Sequence, residues 1–186
     1  QTGFFNWVDG APAEGYRIAD LAADAEGVIA ALGLQRYVLV GHSMGGKVAQ
    51  LMASRRPHGL EGLILVAPSP PSPMLLSAEQ RAMLAGAYQS RESVEFVLDH
   101  VLTAKPLTAA RRAQVIEDSL QAAPQAKLAW PNVAMAEDIT ADVAAIEVPT
   151  LVISGEVTRY MEGNAALRLF IGMGAGSSYF DANVYL

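Results

Sequence analysis

The chain has 186 residues and 52% apolar content, enough for one domain with a sizeable core, and no apolar run approaches the length of a membrane-spanning helix. Its formal net charge is −6 and its Lys and Arg residues are scattered, which argues against nucleic acid as a partner. Cysteine is absent, so disulfides and thiol catalysis are excluded; the three histidines are dispersed without metal-site spacing, so neither a metal nor a cofactor is expected.

Gln1 to Gly15 mixes Gly, Pro, Asn and Asp with aromatics and reads as loop. Gln1 to Gly10 has no basic region followed by an apolar one, so no signal peptide is expected and a cytoplasmic location is the simplest reading. Ile18, Leu21, Ala22, Ala25, Ile29 and Leu32 recur at helical spacing, and Gly33 suits the stop. Tyr37 to Val40 is an unbroken apolar run with two valines, which predicts a fully buried strand. After a turn of small residues, Val48, Leu51 and Met52 fall on one face of a predicted amphipathic helix that ends near Arg56. His58 lies in the turn beyond and reads as a solvated turn histidine.

Between that strand and that helix stands Gly41-x-Ser43-x-Gly45, the pattern of a nucleophile elbow. A serine hydroxyl is a poor nucleophile and must be held open to a base and a substrate. A sharp strand-to-helix turn lifts it above the sheet edge in a strained conformation, and crowding two residues either side predicts glycine at both positions. The helix beginning at Met44 points unpaired N–H groups and a positive dipole end at the site, so the Met44 N–H is the predicted oxyanion donor. Gly41-x-x-x-x-Gly46-Lys47 also matches most of a phosphate-binding loop, but the next residue is Val48, with no hydroxyl for Mg²⁺. Leu63 to Val66 runs into Ala67-Pro68 without an Asp that could hold a metal, so the elbow is favoured.

Gly41-His42-Ser43-Met44-Gly45-Gly46 resembles the α/β-hydrolase superfamily, especially its small esterase, enol-lactonase and cofactor-free haloperoxidase-like members. The similarity continues through Ile18 to Gly33, Gly62 to Pro68 and Val148 to Glu156. It implies an α/β fold with a doubly wound, mainly parallel sheet, a partial hydrolase core carrying an inserted helical lid. The implied activity is serine hydrolysis of small-molecule carboxylic esters or lactones through an acyl-enzyme on Ser43.

Gly62 to Val66 is the second predicted strand, ended by Pro68, Pro70, Pro71 and Pro73. From Ser77 the texture becomes helical. Ser77-x-x-Gln80 resembles a capping box; Ala82, Met83 and Ala87 continue that helix, Val94 to Leu102 suggest another, and Thr108 to Gln121 a third. Lys127 to Met135 adds a short fourth, broken at Pro131. The expected division is a core of 1–73 and 138–186 and a lid of 74–137. His42, Met74, Met83 and Trp130 are the candidate substrate contacts, the last three as an apolar acyl pocket that plain lid packing would equally resemble.

Pro149 to Gly155 is the third predicted strand, and the strand-helix alternation argues a parallel sheet. Asn164 to Ile171 reads as helical; Gly172 to Leu186 has no clear pattern. The family's order is serine, acid, histidine. Resembling sequences keep Gly-Glu-x-Asp after the third strand, where this chain has Gly155-Glu156-Val157-Thr158, leaving Glu156 as substitute acid and Asp181 as a further candidate. No histidine follows His100, which falls in the lid pattern beside Asp99 and is the substitute base. Only 36 residues precede Tyr37, too few for the strands expected there, so the core is expected to be incomplete at both ends. Two competing outcomes follow: a serine esterase, or a non-catalytic binding or scaffold protein that self-associates through an exposed sheet edge.

Overall fold

The computed structural model describes residues 13–103, 106–157 and 180–185. Two compact units emerge: Glu14–Leu75 with Val133–Gly155 and Ala182–Leu186 form one, and Leu76–Asn132 belong to the other.

The first unit holds the sheet. Helix α1 (Ile18–Ala31) ends where predicted, with Gly33 at φ 62° just beyond its cap. Strand β1 (Tyr37–His42) is followed by α2 (Met44–Ser54), β2 (Leu60–Val66) and, after the second unit, a short helix Thr140–Val143 and strand β3 (Thr150–Val157). A last strand, β4 (Phe180–Tyr185), completes the order β1-β2-β3-β4. Both pairings β1–β2 and β2–β3 are parallel, with His42 beside Val66 and Val66 beside Ile153. The parallel sense puts the carboxyl ends of all three strands at one edge of the sheet, where the elbow stands.

Helix α2 carries this unit. Gly46 to Ala53 are buried without interruption. The helix packs on β1 and β2 on one side and on α1 and the Thr140–Val143 turn on others. Ala49 and Ala53 meet Leu63 and Leu65, with Leu39, Leu60, Ile146 and Val148 closing the cluster. An amphipathic helix was expected. Surrounded as it is, α2 buries its polar residues too, and Lys47 and Gln50 answer by hydrogen-bonding inward.

Strand β1 is not fully buried. Val38 and Val40 are 52% and 61% exposed, while Leu39 faces the α2 cluster. An apolar run cannot reveal this, because only alternation in the sequence would distinguish a one-sided strand. Strand β3 runs to Val157, two residues past the predicted stop at Gly155. Strand β4 lies where the sequence offered no pattern, and the helix expected at Asn164–Ile171 lies outside the described residues.

The second unit is helical. Ser77 caps α3 (Ala78–Gly86) with the expected reciprocal box: its hydroxyl accepts from the Gln80 N–H at 3.1 Å, and its own N–H donates to Gln80 Oε1 at 2.8 Å. Ser90 caps α4 (Arg91–Val97) in the same way with Ser93. Helix α4 runs into a π-helical turn, Leu98–Leu102. Thr108 caps α5 (Ala109–Gln121), and α6 (Pro124–Asn132) contains Pro131 where a break was expected. Helix α3 packs on α6 and α4 on α5. No described helix is long and apolar enough to cross a membrane.

Candidate active site

The elbow is built by crowding. A Cβ on Gly41 would lie 2.6 Å from the Gly45 carbonyl oxygen and 2.7 Å from Ala49 Cβ, so strand and helix close on each other only over a glycine. The expectation for the second glycine needs correction. A Cβ on Gly45 meets nothing within 4 Å, whereas one on Gly46 would meet Pro68 Cβ at 2.6 Å. The crowded pair is therefore Gly41 and Gly46; helix α2 is pressed against the chain leaving β2 at Gly46, not at Gly45.

Ser43 occupies the turn at φ 51° and ψ −122°, a conformation that costs a residue with a side chain about 1–3 kcal/mol. It is also the N-cap of α2, and its hydroxyl makes no cap hydrogen bond. The contrast with Ser77 and Ser90 is instructive. Both are N-caps in extended conformation, and both hydroxyls accept from a helix N–H. The twist at Ser43 turns its hydroxyl away from the N–H groups that an N-cap serine usually satisfies.

The peptide after Ser43 is fixed from behind. The Ser43 carbonyl accepts from the Gly46 N–H at 2.9 Å and from the Ser69 N–H at 2.9 Å. The Ser43 N–H donates to the Val66 carbonyl at 3.2 Å, tying the elbow to the end of β2. A peptide is planar and trans, so the Met44 N–H points opposite to the twice-bonded Ser43 carbonyl. As the first residue of α2, Met44 has no intrahelical acceptor for that N–H. A donor at the positive end of a helix, beside an uncapped serine hydroxyl, is an arrangement that can hold an oxyanion.

The remaining candidates are spread out. His42, the last residue of β1, is exposed. Met74 is half-buried in the first unit, while Met83, 41% exposed on α3, and the half-buried Trp130 on α6 belong to the second. His100 lies exposed on the π-helical turn of the second unit, its ring 4.7 Å from that of Phe96, and the neighbouring Asp99 is engaged by Arg112. That ion pair holds the Asp99 carboxyl below its usual range, chiefly through the Arg112 hydrogen bond. Glu156 sits at the penultimate position of β3, inside the strand rather than after it, and Asp181 is the second residue of β4. Thr158 lies outside the described residues. His58 is exposed in the turn before β2, as expected.

The phosphate-loop alternative fails at its lysine. Lys47 is fully buried, and its Nζ donates to the carbonyls of Ser72, at 3.3 Å, and Glu137. It is therefore not free to hold a phosphate.

The family model described as alpha/beta hydrolase fold matches residues 5–168. The chain belongs to the alpha/beta hydrolase family. A bromoperoxidase from Bacillus anthracis superposes on 79% of this hydrolase-fold chain at a TM-score of 0.64 and 20% identity. An esterase from Exiguobacterium antarcticum does so over 79% at 0.65 and 24%. These likenesses concern the fold. Among curated proteins, the mouse sn-1-specific diacylglycerol lipase ABHD11 is 50% identical over 50 residues, 27% of this chain and 16% of that protein. The chain spans 59% of the bromoperoxidase and 58% of the esterase.

Sequence reasoning missed the support behind the elbow: Lys47, Gln50 and the prolyl stretch 68–73. The available signal was a lysine and a glutamine three apart within the mainly apolar helix α2, opposite a loop too rich in proline to bond to itself.

Proposed function

We infer that this chain carries the nucleophile of a serine hydrolase that acts on small-molecule carboxylic esters or lactones through an acyl-enzyme on Ser43. One observation carries the reading: Ser43 is an N-cap serine whose strained backbone withholds its hydroxyl from the helix. Ser43 Oγ attacks the acyl carbon while a base takes its proton, and the carbonyl electron pair moves onto oxygen, where the Met44 N–H holds it. Collapse restores the carbonyl and expels the alcohol, which recovers the proton. Water then attacks the acyl-serine under the same base and releases the acid. His100 is the candidate base on this chain and Glu156 the candidate acid. The helical segment 74–137 serves as the lid, with His42, Met74, Met83 and Trp130 contacting substrate.

The test is turnover of nitrophenyl acetate by the chain of 186 residues and by Ser43→Ala. In the family's order no histidine follows the acid here, and general-base help is worth about 10²–10⁴-fold. Turnover is therefore expected far below the ordinary range of about 1–10³ per second. No pH inflection is expected near 6.5, and acid quench should trap an acetyl group on Ser43. An ordinary rate with that inflection would mean a histidine acts, and loss of it in His100→Ala would identify the residue. Equal rates for wild type and Ser43→Ala would refute the nucleophile.

A second reading is a binding or scaffold protein that kept the core without catalysis. It is favoured by the exposed apolar flank of β1, Val38 and Val40, on a strand at the end of the sheet order. Light scattering separates the two: a clean monomer with measurable Ser43-dependent turnover excludes the scaffold.

A further inference from the structure

Four of the six residues from Pro68 to Pro73 are prolines. A proline has no N–H, so this strap cannot pair with a neighbouring strand, and its carbonyls need donors from elsewhere. Helix α2 supplies two. Gln50 Nε2 donates to the Ser69 carbonyl at 3.1 Å and to the Gly46 carbonyl at 3.1 Å. Lys47 Nζ donates to the Ser72 carbonyl at 3.3 Å. Lys47 also reaches the Glu137 carbonyl, on the segment that returns from the inserted helices. The strap and that segment are joined directly as well, by the Met74 N–H to the Met135 carbonyl at 2.7 Å and the Ile139 N–H to the Pro71 carbonyl at 2.9 Å. Lys47, 0% exposed, thus lies beneath the two chain segments that lead into and out of 76–132.

The strap has a second attachment. Its Ser69 N–H is one of the two donors on the Ser43 carbonyl, and that carbonyl's orientation sets the direction of the Met44 N–H. A connected path therefore runs from Lys47 to the Ser72 carbonyl, along the strap's backbone to Ser69, and across the Ser69 N–H bond to the Ser43–Met44 peptide. A buried ammonium is costly to desolvate, and a leucine or methionine would fill this space in α2 more cheaply. The lysine here has two main-chain carbonyls as its acceptors, one on each of these segments.

We propose that Lys47 is a positioning residue: it clamps the prolyl strap 69–73 to the return segment 137–139, and through Ser69 it fixes the peptide that carries the oxyanion donor. The catalytic consequence rests on Ser43 being the nucleophile; the clamp does not.

Amide hydrogen exchange and fluorophosphonate labelling of wild type, Lys47→Met and Lys47→Gln test it together. Leu63, whose N–H donates to the Pro149 carbonyl at 3.0 Å in the sheet core, is the internal reference. In Lys47→Met, exchange at the Ser69, Met74 and Ile139 amides should rise about tenfold or more, since bonds to a charged donor are lost, with Leu63 unchanged. Labelling at Ser43 should slow in parallel. Lys47→Gln, which keeps a neutral donor and serves if the methionine variant does not fold, should lie between. Unchanged exchange at the three amides overturns the clamp. An equal rise at Leu63 makes Lys47 merely structural and overturns it too. Faster exchange with unaltered Ser43 labelling breaks the link to the Met44 donor. If wild type is not labelled at Ser43 yet the exchange pattern holds, the clamp stands and the nucleophile reading falls.

Discussion

At Gly41 and Gly45 the same amino acid serves two different needs, and the difference is measurable. The 2.6–2.7 Å approaches at Gly41 involve backbone and a buried Ala49, none of which can swing aside. Gly41→Ala is expected to cost at least the about 1–3 kcal/mol typical of overpacking, seen as a lower urea midpoint. Gly45→Ala has open space and a helical setting, and should be neutral or gain up to about 1 kcal/mol. Equal losses for the two would contradict the packing described. Lys47 gives a pH signature. Burial holds its pKa below the ordinary 10.5, opposed by Glu137 and then Asp138. Between the folded value and 10.5 the unfolded chain binds more protons, so stability rises with pH across that window; below it both states are protonated and the burial cost is fully present. The stability difference between wild type and Lys47→Met should therefore grow in favour of wild type as pH rises toward 10.5. A difference that stays flat to that pH would contradict a lowered Lys47 pKa. The sequence made Ser43 legible because turn chemistry is local: glycines, a strand before and a helix after. Lys47 was not legible, because its partners at Ser72 and Glu137 are 25 and 90 residues away.

Elements were legible wherever their signals were local. Ser77 with Gln80 announced α3, and Gly33 marked the end of α1, because caps are written within three residues of a helix end. One-sided burial of β1 was not, since it depends on which face α2 covers. The helical segment is where substrate selection is expected. Its candidate contacts Met83 and Trp130 lie on α3 and α6, which pack together. Met83 is 41% exposed, so truncating it to alanine should cost little stability, about 0.5 kcal/mol or less. If the segment sets acyl-chain preference, Met83→Ala should change the ratio of rates between short and long nitrophenyl esters. A uniform change for every ester would point to stability alone and remove Met83 from the site.

For the whole molecule, the parallel sheet gathers strand ends at one edge, and α2 starts there, so the architecture and the position of Ser43 are one fact. The candidate acid Glu156 and candidate base His100 are not legible as a pair, because the family's local signal after β3 is altered at Thr158 and a base histidine follows no local pattern. The proposed function therefore turns on the hydroxyl of Ser43. Trypsin cleaves after Arg36 and Lys47, which isolates Tyr37–Lys47 with Ser43 as its one serine. The most direct measurement is long incubation with a fluorophosphonate, followed by peptide mass mapping of wild type and Ser43→Ala. The account predicts the phosphonyl adduct on Tyr37–Lys47 in wild type, placed on Ser43 by fragmentation and missing from the variant. A wild-type peptide that stays unmodified, or an adduct that persists unchanged in Ser43→Ala, would contradict it.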